Sequence, residues 1–185
     1  MTTRENIVRL ADRLIRDKGF NAFSFYDISR GLKIKNASIH YHFATKADLG
    51  VSILADHKQK LQALILATAN KSPQIKLDAF LSIYNTIQSE GCVCLIGSLA
   101  TDLKSLDPKI AKELKVFAVE FLEWVTAILE EGKAKKVFSY PGSARTKALM
   151  IISNMLAALQ LSRLTNEGDF YTIQKEVVKD LRAKH

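Results

Sequence analysis

The spacing of apolar residues predicts helices along most of the chain. Over residues 3–18 they recur every three or four positions, as one buried helical face requires. Similar periodicity runs over 46–69, 73–89, 108–131 and 143–164, and the strict alternation of a half-buried strand is not seen. The pattern predicts an all-α protein of roughly nine helices, with three short helices in an N-terminal head and six in a body.

Capping residues divide the head into short helices. Ser24 and Asp27 form a capping box at the start of a second helix, and Thr45 and Asp48 form another at the start of the long helix that follows. We expect the second helix to stop and turn at Gly31, because glycine adopts a positive φ at little cost. The head is therefore predicted to be a helix-turn-helix.

The third short helix carries polar residues on its outer face. Ile34, Ile39 and Phe43 form its apolar pattern, which leaves an outward set of Lys35, Asn36, Ala37, Ser38, His40 and Tyr41. These types suit the major groove, since lysine contacts guanine or phosphate, asparagine contacts adenine, and alanine contacts the thymine methyl group. The pattern therefore predicts a DNA-reading helix.

Positive charge is denser in the same region. Residues 1–50 hold nine Lys or Arg and five Asp or Glu, a net charge of +4, and the other 135 residues hold eighteen and fourteen, again +4. A DNA-binding head needs such a concentration of charge. Charge alone favours an ordinary basic surface, so the DNA-binding prediction depends on the combined pattern.

The segment from Ala37 to Leu49 resembles the end of the recognition helix of TetR-type regulators. It reads Ala-Ser-Ile-His-Tyr-His-Phe-Ala-Thr-Lys-Ala-Asp-Leu, and the similarity extends back to residue 4. The chain departs from the family pattern at residues 35–37, where many members have Ser-Lys-Gly, and at His40, where many have Tyr. Both departures fall on outward positions, so the resemblance does not supply the operator sequence.

The resemblance implies a dimeric regulator whose body binds a small molecule that weakens DNA binding. We expect a helix-turn-helix DNA-binding domain over residues 1–48 and an effector-binding and dimerisation domain over residues 49–185. The base-edge or groove candidates are Lys35, Asn36, Ala37, Ser38 and His40, and the phosphate candidates are Ser24, Tyr26, Tyr41, Thr45 and Lys46. Two of these, Tyr41 and Lys46, lie where family members commonly grip the DNA backbone.

The body offers a candidate effector cavity and a candidate dimer interface. The cavity would be lined by Phe80, Tyr84, Cys92, Phe117, Phe121, Trp124 and Met155, and its ligand would be mostly apolar; the alternative is that these residues are packed core. The last two helices have surplus apolar surface, which predicts a four-helix bundle with a second subunit. Alternatively, that surface is intramolecular core.

Three further residues have a functional and a structural interpretation. Cys92 and Cys94 are either thiol sensors of an oxidant or electrophile, or two small buried apolar residues. His57, on the apolar face of the long helix, is either a ligand or proton sensor, or a hydrogen-bonded interface residue. The structural interpretation is favoured in each case.

Several classes of protein are disfavoured. Phosphate-loop, metal-spacing and nucleophile-turn motifs are not found, and His40 and His42 lie on opposite sides of a helix, so we expect no enzyme activity, no cofactor and no metal site. Residues 148–161 are too short and polar to span a bilayer, and we expect no signal peptide and a cytoplasmic location. The prediction is a transcriptional repressor with an operator, a second subunit and an unknown effector as partners. The alternative is a helical ligand-binding or enzymatic protein whose basic head is structural.

Overall fold

A computed structural model describes residues 1–182. Within that range the regular secondary structure consists of nine α-helices without a strand, which confirms the all-α prediction. In chain order they are α1 (Thr3–Lys18), α2 (Phe25–Leu32), α3 (Asn36–His42), α4 (Lys46–Thr68), α5 (Pro73–Ser89), α6 (Leu95–Thr101), α7 (Pro108–Ala134), α8 (Ala144–Ser162) and α9 (Glu167–Asp180). None of the helices over the described range combines the length and apolarity needed to cross a membrane.

Most helix starts follow the capping signals in the sequence. Ser72 accepts a hydrogen bond from the N–H of Ile75, and Pro73 occupies the first position of α5, where its missing N–H has no consequence. Asp107 accepts from the N–H of Lys109 at 3.0 Å at the start of α7. Such starts can be read from the sequence because each signal is local: a side chain satisfies an N–H group within one turn of it.

The turn between α2 and α3 lies two residues later than predicted. Gly31 is a helical residue of α2, and the left-handed conformation (φ 55°, ψ 41°) belongs to Lys33. A Cβ at Gly31 would lie 2.6 Å from Cδ2 of Leu10, so the glycine permits close packing of α2 on α1. The prediction that Gly31 forms the turn is therefore wrong, because a tertiary contact accounts for this glycine.

The connection between the periodic segments 108–131 and 143–164 begins later than the sequence pattern indicates. α7 continues to Ala134, and Gly132 is part of the helix. A Cβ at Gly132 would lie 1.9 Å from the ring of Phe138, which is almost fully buried. The glycine thus leaves room for an aromatic ring against the helix, a contact that sequence periodicity does not reveal.

The first of two compact units comprises Met1–Lys60 and Leu95–Phe117. Its core includes fully buried Ile7, Ile15, Ile28, Ile39 and Leu49. Hydrogen bonds join the end of α1 and the α1–α2 turn to α6 and the residues after it. Ser98 Oγ donates to Ile15 O at 2.7 Å. In the turn, Phe20 N–H donates to Asp102 Oδ2 at 2.9 Å, and Asn21 Nδ2 donates to Ser105 Oγ at 2.8 Å. The helix-turn-helix is therefore held by α6 as well as by its own core.

The second unit comprises Leu61–Cys94 and the chain from Ala118 onward. The inner face of α8 carries Ile151, Met155, Ala158 and Leu159, and the inner face of α9 carries Phe170, Val177 and Leu181. Ile173 of α9 is 40% exposed. Gln174, which is half-buried and hydrogen-bonded to Asn85, lies closer to the interior.

The units are defined by packing; two of their boundaries fall within α4 and α7, and the third lies just before α6. The functional division predicted between residues 48 and 49 stays a prediction.

Candidate nucleic-acid interface

The outer face of α3 is a row of polar side chains above one buried apolar anchor. Ile39 is fully buried, whereas Lys35, Asn36, Ala37, His40 and Tyr41 are exposed and Ser38 is half-buried. Tyr41 is 85% exposed, which is unusual for an aromatic residue. The predicted outward set is confirmed as a surface, and its DNA contacts stay a prediction.

An aromatic contact restricts one of these side chains. The rings of Phe25 and His40 meet edge to face, with their centroids 5.0 Å apart. Phe25 is at the start of α2, so this contact holds the imidazole against the neighbouring helix. His40 is therefore presented as an ordered side chain, which suits recognition of a fixed feature of a groove.

The start of α2 combines a capping box with an exposed aromatic residue. Ser24 donates to Asp27 Oδ2 through its N–H at 2.7 Å and its hydroxyl at 2.8 Å. These two hydrogen bonds lower the pKa of Asp27. Tyr26 is 63% exposed, and the guanidinium of Arg30 lies 5.9 Å from its ring centroid. Ser24 is thus already engaged within the protein, whereas the Tyr26 side chain is directed to solvent.

The start of α4 is tied to the first turn of α7. Asp48 Oδ2 accepts from the N–H and the hydroxyl of Thr45, at 3.0 and 2.7 Å, which completes the predicted capping box. Asp48 Oδ1 accepts from Lys109 Nζ at 2.6 Å. The Lys109 hydrogen bond, followed by those of Thr45, lowers the pKa of Asp48 to about 2. The carboxylate thereby joins the start of α4 to α7.

Lys46 is turned into the protein. Its ammonium donates to the carbonyl of Phe23 and lies 4.7 Å and 4.2 Å from the ring centroids of Phe20 and Phe23. Burial lowers the pKa of the Lys46 side chain. The geometry is that of a cation–π lock on the α1–α2 turn. Its predicted phosphate contact would require this lock to open, or the positive charge to act from a distance.

Sequence reasoning missed residues beside α3. A surface groove is lined by Thr3 from α1 together with Ala37, Ser38, Tyr41 and His42. Thr3 and His42 were not among the candidates. Thr3 reaches the groove through the packing of α1 beside α3, and His42 is the last residue of α3.

The comparisons with known proteins agree with this geometry. The family model described as "Bacterial regulatory proteins, tetR family" matches residues 7–52. A TetR transcriptional regulator from Legionella pneumophila is 34% identical, with 98% of each chain covered and a TM-score of 0.86. The chain belongs to the TetR family. It is therefore a DNA-binding transcriptional regulator, and this family implies operator binding and dimerisation.

Other solved structures of lower identity share the fold. A TetR-family regulator from Agrobacterium tumefaciens is 26% identical over 97% of both chains, with a TM-score of 0.89. The ketosteroid transcriptional regulator KstR2 of Mycobacterium tuberculosis is 17% identical, covers 99% of this chain and 97% of its own, and has a TM-score of 0.74. No curated protein matches the chain.

In this TetR-family regulator the body aromatics form a connected cluster in unit 2. The ring centroid of Phe80 lies 5.4 Å from that of Tyr84, 5.7 Å from that of Phe121 and 6.2 Å from that of Trp124. All four side chains are buried, as are Met155 and Cys92. Phe117 belongs to unit 1, where its ring centroid lies 6.2 Å from that of His57. Their role in binding an effector stays a prediction.

Cys92 and His57 are both hydrogen-bonded within the protein. Cys92 is buried and its thiol donates to the carbonyl of Glu90 at 3.6 Å, whereas Cys94 is half-buried. His57 Nε2 lies 2.8 Å from Asp12 Oδ1. Burial raises the pKa of Asp12, but the contacts with His57 and Arg16 outweigh it and the net pKa is lowered. His57 is therefore a hydrogen-bonded interface residue, as favoured from the sequence.

Proposed function

We propose that this protein is a dimeric repressor that binds an inverted-repeat operator through α3 and is released by a small, mostly apolar effector. In this proposal Lys35, Asn36, Ser38 and His40 contact base edges, Ala37 contacts a thymine methyl group, and Tyr26 and Tyr41 contact phosphate. The remaining phosphate candidates contact the backbone from the N-terminal ends of two helices: Ser24 at α2, and Thr45 and Lys46 at α4.

The outer face of α3 is the observation that supports operator binding. Its polar side chains project from a helix whose position is set by fully buried Ile39 and by the ring contact between Phe25 and His40. A groove-reading helix needs this combination, because direct readout depends on side chains placed accurately at base edges. Positive side chains nearby supply the non-specific part of the affinity.

Exposed apolar side chains on α8 support dimerisation through the last two helices. Three side chains of α8 are 45%, 54% and 57% exposed: Leu149, Met150 and Leu161. They lie away from Ile151 and Met155, which are buried, and Leu164, just after the helix ends, is 84% exposed. Burying such a face against its copy gives a twofold interface, and two helix-turn-helix heads then face two half-sites.

The aromatic cluster of unit 2 supports an apolar effector. Phe80, Tyr84, Phe121 and Trp124 are apolar and linked by ring contacts, so a ligand that inserts among them must resemble them chemically. α7 carries two of these residues and, in its first turn, Lys109, which is bonded to Asp48 of α4. A shift of α7 would therefore change the position of α4. A coupling of about 1–3 kcal/mol is typical of such regulation.

The experiment that tests the proposal is selection of DNA. The purified protein would be mixed with fragmented DNA from its source at near-physiological salt, and the retained fragments sequenced. We expect an enriched inverted repeat, with one protein dimer bound per repeat in sedimentation. Leu161→Glu on α8 and, separately, Leu164→Glu just after α8 should each favour the monomer and weaken binding to the full repeat more than to a half-site.

Retention without a common motif would contradict operator binding and would support a ligand-binding protein with a structural basic head. An enriched repeat whose neighbouring gene is activated by the protein would contradict repression while leaving operator recognition intact.

A further inference from the structure

Lys33 forms the turn of the helix-turn-helix in a conformation that disfavours its own side chain. It has φ 55° and ψ 41°, the left-handed region in which Cβ crowds the neighbouring carbonyl oxygen. Glycine adopts this conformation without that crowding. The turn itself uses only backbone groups: the N–H of Lys33 donates to Arg30 O at 3.3 Å, and the N–H of Ile34 donates to Ser29 O at 3.1 Å. The lysine side chain is therefore not required for the turn.

The charged residues on either side of Lys33 in the sequence are all positive. Between Asp27 and Asp48 the sequence contains no acidic residue, but it contains Arg30, Lys33, Lys35 and Lys46. Arg30, Lys33 and Lys35 are exposed, and among the residues that the structure describes no carboxylate forms an ion pair with any of the three. Like charges left unpaired repel one another, and binding of a polyanion removes that repulsion.

The position of Lys33 determines which part of a DNA duplex its side chain can reach. It precedes the first residue of α3 by three positions, so it lies beside the end of α3 that carries Lys35 and Asn36. When the start of a recognition helix enters a major groove, the turn before it faces the sugar-phosphate backbone that borders the groove. Lysine binds phosphate there as a flexible point charge.

We propose that Lys33 is a DNA-backbone contact: its ammonium binds a phosphate at the edge of the groove that α3 reads. This contact rests on the proposed recognition by α3. It contributes affinity without sequence preference, since every phosphate is alike.

The chain provides a matched control for the unusual backbone. Lys136, after the end of α7 in unit 2, is also exposed and left-handed with φ 56°, and its N–H donates to Lys133 O at 3.1 Å. Lys33 and Lys136 thus share residue type, exposure and conformation. They differ in that only Lys33 lies in the helix-turn-helix.

The test compares Lys33→Gln, Lys33→Gly and Lys33→Arg with Lys136→Gln and Lys136→Gly. For each variant we would measure melting temperature and affinity for the selected operator and for an unrelated duplex, at several salt concentrations. The glutamine variants keep a long side chain and remove only the charge, so their melting temperatures should match wild type. The glycine variants should melt at or above wild type, because the left-handed strain is removed.

We expect both uncharged Lys33 variants to bind operator and unrelated DNA several-fold more weakly, by the same factor. The slope of log affinity against log salt should become shallower by about 0.9 for each head, or about 1.8 for a dimer that engages both half-sites. Lys33→Arg should keep the wild-type slope, and both Lys136 variants should bind DNA as wild type does.

Wild-type affinity and salt slope in Lys33→Gln would overturn this contact while leaving the proposed function intact. A loss confined to the operator would also overturn it, because that result indicates a base contact. If the wild-type protein itself selects no operator, the proposed function fails first. The affinity for unrelated duplex then still reports whether Lys33 binds backbone phosphate.

Discussion

The outer face of α3 and the aromatic cluster of unit 2 both carry ring side chains, yet they differ in burial. In the cluster, Phe80 contacts three other rings and is fully buried. On α3, Tyr41 is 85% exposed and Asn36 is also exposed. The first set stabilises the protein in the absence of any partner, whereas the second contributes little until a partner is present.

This difference separates two kinds of evidence for function. Exposed side chains on a firmly packed helix are expected to act on a partner, because the fold does not need them. Buried aromatic residues are needed by the fold, so any role in effector binding is added to a structural one. Lys46 lies between these cases, since this cation, which we propose contacts phosphate, is engaged with the rings of Phe20 and Phe23. Mutations should therefore separate stability from binding in the following order.

The largest effect on stability is expected from Phe80→Ala. Removing a fully buried ring leaves a cavity among Tyr84, Phe121 and Trp124, at a cost of about 3–5 kcal/mol. Chemical denaturation would measure the loss. Tyr171→Ala, at a half-exposed ring on α9, is the control and should change stability by less than about 1 kcal/mol. A small effect at Phe80 would show that the cluster tolerates an opening and would favour a preformed effector site.

Asn36→Ala should produce the opposite pattern. The side chain is exposed, so the free energy of unfolding should change by no more than about 0.5 kcal/mol. Affinity for the operator should fall by about 1–3 kcal/mol and preference should relax at particular base pairs, while affinity for unrelated DNA stays constant. Competition binding with single-base operator variants would measure this. Equal losses on all sequences would assign Asn36 to the backbone.

Lys46→Ala should affect both properties. Loss of the cation from the rings of Phe20 and Phe23 should destabilise unit 1 by about 1–2 kcal/mol. We expect binding to all DNA sequences to weaken alike, because the α1–α2 turn loses its lock and a positive charge is removed. Lys46→Arg, which keeps the charge and stacks on rings, should recover much of both. Unchanged stability in Lys46→Ala would contradict the structural part of this role.

The smallest effect concerns the acid stability of the Asp48–Lys109 pair. Because the pKa of Asp48 is about 2 in the folded protein, against an ordinary 3.8, the carboxylate contributes stability above about pH 4 and loses it as the pH falls towards 2. The pair is exposed, so the contribution is modest. Asp48→Asn should make the fall of melting temperature between pH 4 and pH 2 shallower. Asp56→Asn, at an exposed pair within α4, is the matched control.

Local signals predicted most of the fold. Ser72 with Pro73, Asp107 and the Thr45–Asp48 box each set a helix start, because the groups that interact are within one turn of one another in the chain. The outward face of α3 followed from the period of a helix and the position of Ile39.

The errors concern glycines. Gly31 and Gly132 both resembled helix stops, yet each lies within a helix where another element approaches too closely for a Cβ. A local pattern does not distinguish a glycine needed for its φ angle from one needed for its missing side chain.

The composition and order of residues were sufficient for the helical architecture, the family and the exposed outer face of α3. All three depend on interactions between neighbours in the chain or on a short motif. Only the tertiary structure shows the cation–π contact of Lys46 with Phe20 and Phe23 and the ion pair of Asp48 with Lys109. The same is true of the hydrogen bonds that the α1–α2 turn donates to Asp102. Their partners are 23 to 82 residues apart, and which distant groups meet depends on how the helices pack.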